Sequence, residues 1–170
     1  MKHPDNYVFN GHAHFSIPLS SEVYIGRNFI CNSGPLYAID NASMSKIWVF
    51  DNAFLSIGDD SGISNTAIIC SKEIVIGNNV NIGAGTLIID TDFHSLNSEI
   101  RTNRKKDIIS AKQGSVRIGD HVLIGARTII LKGVVIGNRS IVAAGSVVVK
   151  NIPERELWGG NPAQFIRKVI

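Results

Sequence analysis

The residues best placed to do chemistry are Asp90, Asp92 and His94, in the stretch Ile88-Ile89-Asp90-Thr91-Asp92-Phe93-His94. In an extended segment alternate side chains share a face, so both carboxylates and the imidazole fall on one side. An imidazole has an ordinary pKa of ~6.5 and can take up a proton near neutral pH. A hydroxyl is a poor nucleophile at that pH, and a base beside it removes its proton as it attacks. His94 is therefore the candidate general base, and a neighbouring carboxylate would hold its tautomer. Asp92 is the favoured partner and Asp90 the alternative, and either could instead bind an acceptor hydroxyl. Arg101 is a further candidate contact to an acceptor, whereas Arg104, Lys105 and Lys106 read as a solvated charge run.

These residues sit where a regular rhythm fails. Ile57, Ile63 and Ile69 fall at steps of six, a step of seven leads to Ile76, and Ile82 and Ile88 follow. Counting six from Ile88 lands on His94, inside a polar interruption over 90–115. The rhythm resumes at Ile118, Ile124, Ile130, Ile136, Val142 and Val148, with Val122, Thr128, Val134, Ser140 and Ser146 four residues after the first five. A period of six fits neither a helix of period 3.6 nor alternating hairpins, and it does fit a solenoid of very short strands. Each six-residue unit makes one flat side with its aliphatic residue inward, and three sides close a coil. Coils stacked at the ~4.8 Å strand spacing bury one continuous aliphatic column.

The domain reading is one all-β unit, with irregular N-terminal coils over 1–56 and clear repeats over 57–170. A long polar excursion adds little to a core, so loop 90–115 is either functional or disordered. Asn161-Pro162 reads as a helix start, Asn as N-cap and Pro at the first position, which predicts a short C-terminal helix over 162–170.

Composition bounds the function. The chain has 170 residues, 44% of them hydrophobic, enough for one cored domain. Its net charge of +3 is too small and dispersed to make nucleic acid or an anionic membrane the main partner. No apolar run approaches the ~20 residues of a membrane span, and the N-terminal Met-Lys-His-Pro-Asp-Asn-Tyr lacks a leader's apolar stretch. A cytoplasmic protein is expected, with Cys31 and Cys70 as buried free thiols. His12 and His14 share a strand face, but two histidines fall short of the three or four ligands of a zinc site.

The repeats, together with Ile130-Leu-Lys-Gly-Val-Val-Ile-Gly, Asp90-x-Asp-Phe-His-Ser and Gly159-Gly-Asn-Pro-Ala, resemble the hexapeptide-repeat acyltransferases. The branch they resemble most is the maltose, galactoside and polysaccharide O-acetyltransferases. The resemblance implies a left-handed parallel β-helix with an inserted loop, assembled as a homotrimer, with acetyl-CoA as acyl donor and no metal. It implies His94 as the general base at a subunit boundary. It also implies that coenzyme A lies against Ala126 and Ala144 at coil corners, with Lys150 and Arg167 as candidates for its phosphates. The expected reaction is acetyl transfer to a sugar or polysaccharide-precursor hydroxyl. The alternatives are N-acetylation of an amino sugar and a non-enzymatic binding solenoid. A zinc hydratase on the same scaffold would need three histidines, and His94 and His121 stand 27 residues apart. Two departures leave the acceptor open. Relatives often carry Trp where this chain has Leu123, and the N-terminal aromatics Tyr7, Phe9, Phe15 and Tyr24 either cap the core or line an acceptor site.

Overall fold

A computed structural model describes residues 6–39 and 44–170, so most of the N-terminal segment read for a leader lies outside it. The chain winds as a left-handed parallel β-helix, a triangular prism with three sheets as faces. Face one stacks Glu22–Ile25, Phe54–Ile57, Glu73–Ile76, Val116–Ile118 and Val135–Ile136. Face two stacks Val8–Asn10, Ile30–Asn32, Gly62–Ser64, Asn81–Ile82, Leu123–Ile124, Ile141–Val142 and Glu156–Gly160. Face three stacks His14–Ser16, Lys46–Val49, Ala67–Cys70, Leu87–Ile89, Ile129–Ile130 and Val147–Val148. Pairing runs unbroken through position 57, where Phe54–Ile57 pairs with both Glu22–Ile25 and Glu73–Ile76.

The inward residues explain the period. Ile76, Ile82, Ile88, Ile118, Ile124, Ile130, Ile136, Val142 and Val148 are buried, as are Val122, Thr128, Val134, Ser140 and Ser146 at the corners. Burying each large aliphatic side chain is worth about 1.5–3 kcal/mol, and stacking makes the column continuous. One expected position is corrected: Ile68 and Cys70 point inward with no exposure, while Ile69 faces outward between Trp48 and Ile89. The extra residue is absorbed one side earlier, at the turn where Asn65 takes a positive φ of 37°.

The corners between faces one and two share a device. Asn28, Asp60, Asn79, His121, Arg139 and Arg155 occupy left-handed backbone with φ between 56° and 58°. One residue earlier in each corner, a side chain reaches the neighbouring coil. Asp59 accepts from Arg27 N–H, Asn78 from Asp59 N–H, Asp120 from Asn78 N–H and Asn138 from Asp120 N–H, at 2.7–2.9 Å. This ladder satisfies turn amides that the sheets leave unpaired. His121 is one of these corner residues, remote in role from His94.

Two features depart from expectation. The C-terminal helix over 162–170 is absent: Ala163–Lys168 is a strand, antiparallel to Glu156–Gly160. A helix there would leave the outer edge of Glu156–Gly160 unpaired, whereas the hairpin satisfies it and brings Lys168 Nζ to 2.6 Å from Glu156. The connection turns at Gly160, φ 101°, and the cis Asn161–Pro162 bond. The interruption over 90–115 is ordered and holds two short helices, α1 (Ser98–Arg101) and α2 (Arg104–Ile109). Asn97 and Asn103 cap them, accepting from Glu99 N–H at 2.9 Å and Lys106 N–H at 3.2 Å. Of the N-terminal aromatics, Tyr7 and Phe15 cap the core as expected, Tyr7 meeting Phe29 edge-on and donating to Ile25 O at 2.6 Å, while Phe9 and Tyr24 stay exposed.

Candidate active site

The inserted loop leaves the corner between faces three and one through a closed root. Thr91 bridges Gln113, Asp92 N–H donates to Lys112 O at 2.9 Å, and Gly114 N–H donates to Asp90 O at 2.9 Å. Lys132, from the coil above, reaches Asp92 Oδ1 at 2.6 Å. Both ends of the excursion are therefore tied to the prism, and His94 lies just beyond the tie.

His94 presents its ring to solvent, 68% exposed, while its Nδ1 lies 2.7 Å from Oδ2 of Asp107, a carboxylate on α2 that is only 8% exposed. Asp107 also accepts the Ser95 N–H at 2.7 Å through Oδ1. The hydrogen bond from His94 holds the Asp107 carboxyl below the usual carboxylate range, with the Ser95 amide adding to it. Asp107 is thus ionised at neutral pH and accepts from Nδ1–H, an arrangement that in the neutral imidazole leaves Nε2 as the acceptor. An imidazole oriented by a buried carboxylate can accept a proton from a group brought within hydrogen-bond reach.

Asp107 is the candidate site residue that the sequence reading missed. Its carboxylate lies 13 residues from His94 inside a run read as solvated charge. The signal that pointed to it was the pair of capping asparagines, which turn the run into helices with a buried side. Asp92, favoured for orienting the imidazole, is corrected to an anchor: one oxygen holds Lys132, and the other is buried with no hydrogen-bond partner among the described residues. Asp90 is corrected as well. It is fully buried and accepts the backbone N–H groups of Ser71, Lys72 and Glu73 at 2.7–2.8 Å, leaving nothing for an acceptor hydroxyl. Arg101 donates to Ser95 O at 2.8 Å, so it braces the turn next to His94.

Ala126 and Ala144 occupy the same corner, between faces two and three, in successive coils: Gly145 N–H donates to Ala126 O at 2.8 Å. Glycine precedes the turn there because a Cβ on Gly83 would lie 2.6 Å from Ala126 N, and one on Gly125 would lie 2.4 Å from Ala144 N. Beside that corner, a cleft of about 430 Å³ runs along face two from Ile30 and Asn32 past Asn81 to Leu123 and Ala126. Leu123 thus opens onto the cleft, 47% exposed. Lys150 and Arg167 are both exposed, and Arg167 donates to Lys168 O at 3.2 Å. The structure therefore brings Ala126 and Ala144 together and keeps His94 apart from them. The side from Gly85 to Asp90 spans roughly 16 Å at the rise of a strand, and face two lies across the prism from the corner that carries His94.

Comparison with known proteins follows this geometry. The family described as hexapeptide repeat of succinyl-transferase matches residues 115–150. The galactoside O-acetyltransferase of Escherichia coli (strain K12) is 30% identical over 129 residues, covering 72% of this chain and 61% of that protein. The chain carries the hexapeptide repeat and is similar in sequence and fold to hexapeptide-repeat acetyltransferases. A solved galactoside acetyltransferase in complex with coenzyme A aligns with 97% of this chain and 65% of its own length, at 25% identity and a TM-score of 0.62. The gamma carbonic anhydrase 2, mitochondrial, of Arabidopsis thaliana is 38% identical over 111 residues, covering 54% of this chain and 37% of that protein. Among the described residues, no three His, Cys, Asp or Glu side chains are grouped so as to hold a metal ion. The chain spans between about a third and three fifths of the length of the curated relatives it matches first.

Proposed function

We propose that this chain is an acetyltransferase that moves the acetyl group of acetyl-CoA to a hydroxyl of a sugar or polysaccharide precursor, in a direct ternary complex. The observation that carries the reading is the His94–Asp107 pair: an exposed imidazole whose Nδ1 is committed to a buried carboxylate. Nε2 takes the proton of the acceptor hydroxyl as its oxygen attacks the thioester carbonyl. The tetrahedral intermediate collapses, the C–S bond breaks, and the departing thiolate of coenzyme A receives the proton from the imidazolium. No covalent enzyme intermediate forms and no step calls on a metal.

Acetyl-CoA would lie along the corner of Ala126 and Ala144, where small residues let the narrow pantetheine approach the backbone, with the Ala126 N–H facing the developing oxyanion. Lys150 and Arg167 would serve its phosphates. The solved galactoside acetyltransferase, with coenzyme A bound, supports this donor. His94 and that corner lie a sheet's width apart in one chain, so the active site is made between chains, as in the proposed homotrimer. The outward column Ala67, Leu87, Ile129 and Val147 on face three is apolar and supports burial against a neighbour.

The test follows free thiol release from acetyl-CoA with a panel of pyranosides and amino sugars. His94→Ala should lower turnover by ~10²-fold or more, the usual worth of a general base. Turnover within about threefold of wild type would remove the base assignment. Coenzyme A at 100 times its Kd should stabilise the fold by ~2.7 kcal/mol. No shift at saturation would favour a binding solenoid.

A further inference from the structure

His94 follows a backbone irregularity. Phe93 has φ 60°, a left-handed conformation that a bulky residue seldom adopts. The turn is tight: His94 N–H donates to Asp92 O at 2.7 Å around Phe93, and Phe93 N–H donates to Thr91 Oγ1 at 3.1 Å. A three-residue turn of this hand is rare and strained, and such strain persists only where the surroundings over-determine it. The root bonds over-determine Thr91 and Asp92, but they end there.

What holds Phe93 itself is aromatic. Its ring centroid lies 6.3 Å from both Trp48 and Phe50. Those two project from one side of the same strand edge and stack on each other at 4.8 Å, 21° from parallel. The Lys46 ammonium sits 4.7 Å from the Trp48 ring centre, which steadies the row from its other end. All three rings are partly buried. A left-handed Phe93 directs its ring into this row. Relaxation to negative φ would withdraw the ring and redirect the chain at His94.

We propose that Trp48 and Phe50 are positioning residues for His94: their rings trap Phe93 in its left-handed turn and thereby hold the imidazole against Asp107 and toward the acceptor. This rests on the acetyl-transfer reading for its consequence in turnover, but its structural part does not. A seal that merely covers apolar surface at the loop base would lower stability without touching the imidazole.

The experiment reads the two parts separately. Long-range ¹H–¹⁵N spectra of the His94 ring at alkaline pH report its tautomer with no substrate present. The wild-type chain should show the Nδ1–H form alone, and Trp48→Ala and Phe93→Ala a mixture. In the thiol-release assay Phe93→Ala should lose on the order of 30-fold in kcat, since small misplacements of a catalytic group cost up to ~10²-fold, with KM for acetyl-CoA unchanged. Phe93→Gly should recover part of that loss, because glycine takes positive φ freely while lacking the same ring. Trp48→Phe, which keeps the stack, should stay close to wild type. If Phe93→Ala does not fold, Phe93→Leu is read in its place with the same expectation. A single Nδ1–H tautomer in Trp48→Ala and Phe93→Ala, or a Phe93→Gly variant no better than Phe93→Ala, overturns the positioning role. A wild-type chain that turns over no acceptor, with the tautomers as expected, sinks the acetyl-transfer reading and leaves the positioning intact.

Discussion

At the scale of residues, the site depends on one carboxylate doing two jobs. Asp107 fixes the His94 tautomer and, through Ser95 N–H, the turn that follows it. Asp107→Asn keeps the shape but offers an amide where the imidazole needs an anion. Turnover in the thiol-release assay should fall ~10²-fold or more, with little change in KM for acetyl-CoA, because orientation rather than donor binding is lost. The carboxyl is held below its ordinary range, so its contribution to loop order is complete above that range and disappears as pH falls through the lowered value. Hydrogen exchange at Ser95 should accelerate in that acidic window and stay protected at neutral pH. His94 itself was legible in the sequence, because a count of six from Ile88 lands on it. Its partner was not: parity in an extended strand selected Asp90 and Asp92, whereas the chain turns at Phe93 and the contact comes from a helix 13 residues on.

At the scale of elements, stacking makes inward positions strict and corner positions chemical. Ile124 is fully buried between Ile82 and Val142, and Ile124→Ala should cost about 2–5 kcal/mol in denaturant unfolding. Asp90→Ala would strip three backbone N–H groups of their acceptor at once. A loss of about 3 kcal/mol or more is expected, on the scale of 1–3 kcal/mol for each polar group left unmade. The same melt on Asp90→Asn should lose less, since one amide oxygen still accepts. The period of six made the prism legible from Ile76 onward, where side chains face a repeating environment. It slipped at Ile69, because a turn can absorb a residue at either end of a strand, and Ile68, Ile69 and Cys70 are all apolar. The capping reading failed at Asn161-Pro162, because local capping preference competes with an unpaired strand edge that only the fold reveals.

For the molecule as a whole, the thiols and the assembly offer the clearest checks. Cys31 and Cys70 are free and fully buried, and burial pushes the Cys70 thiol up to about 12, with the Asp90 carboxylate adding to the shift. Neither should react with a water-soluble alkylating reagent in the native state, and both should label once the chain is unfolded. Light scattering should give the mass of three chains; a clean monomer would separate His94 from the corner of Ala126 and Ala144 and remove the shared site. The resemblance implied a homotrimer, yet the face it would bury was not legible, since inward and outward aliphatic residues look alike until the prism closes. The hairpin of Glu156–Gly160 and Ala163–Lys168 acts on a larger length scale. Parallel coils present an edge onto which another prism could dock end to end, and repetition of that contact would grow a fibre. By reversing strand direction on face two, the hairpin places a mismatched template on that face and works against such stacking.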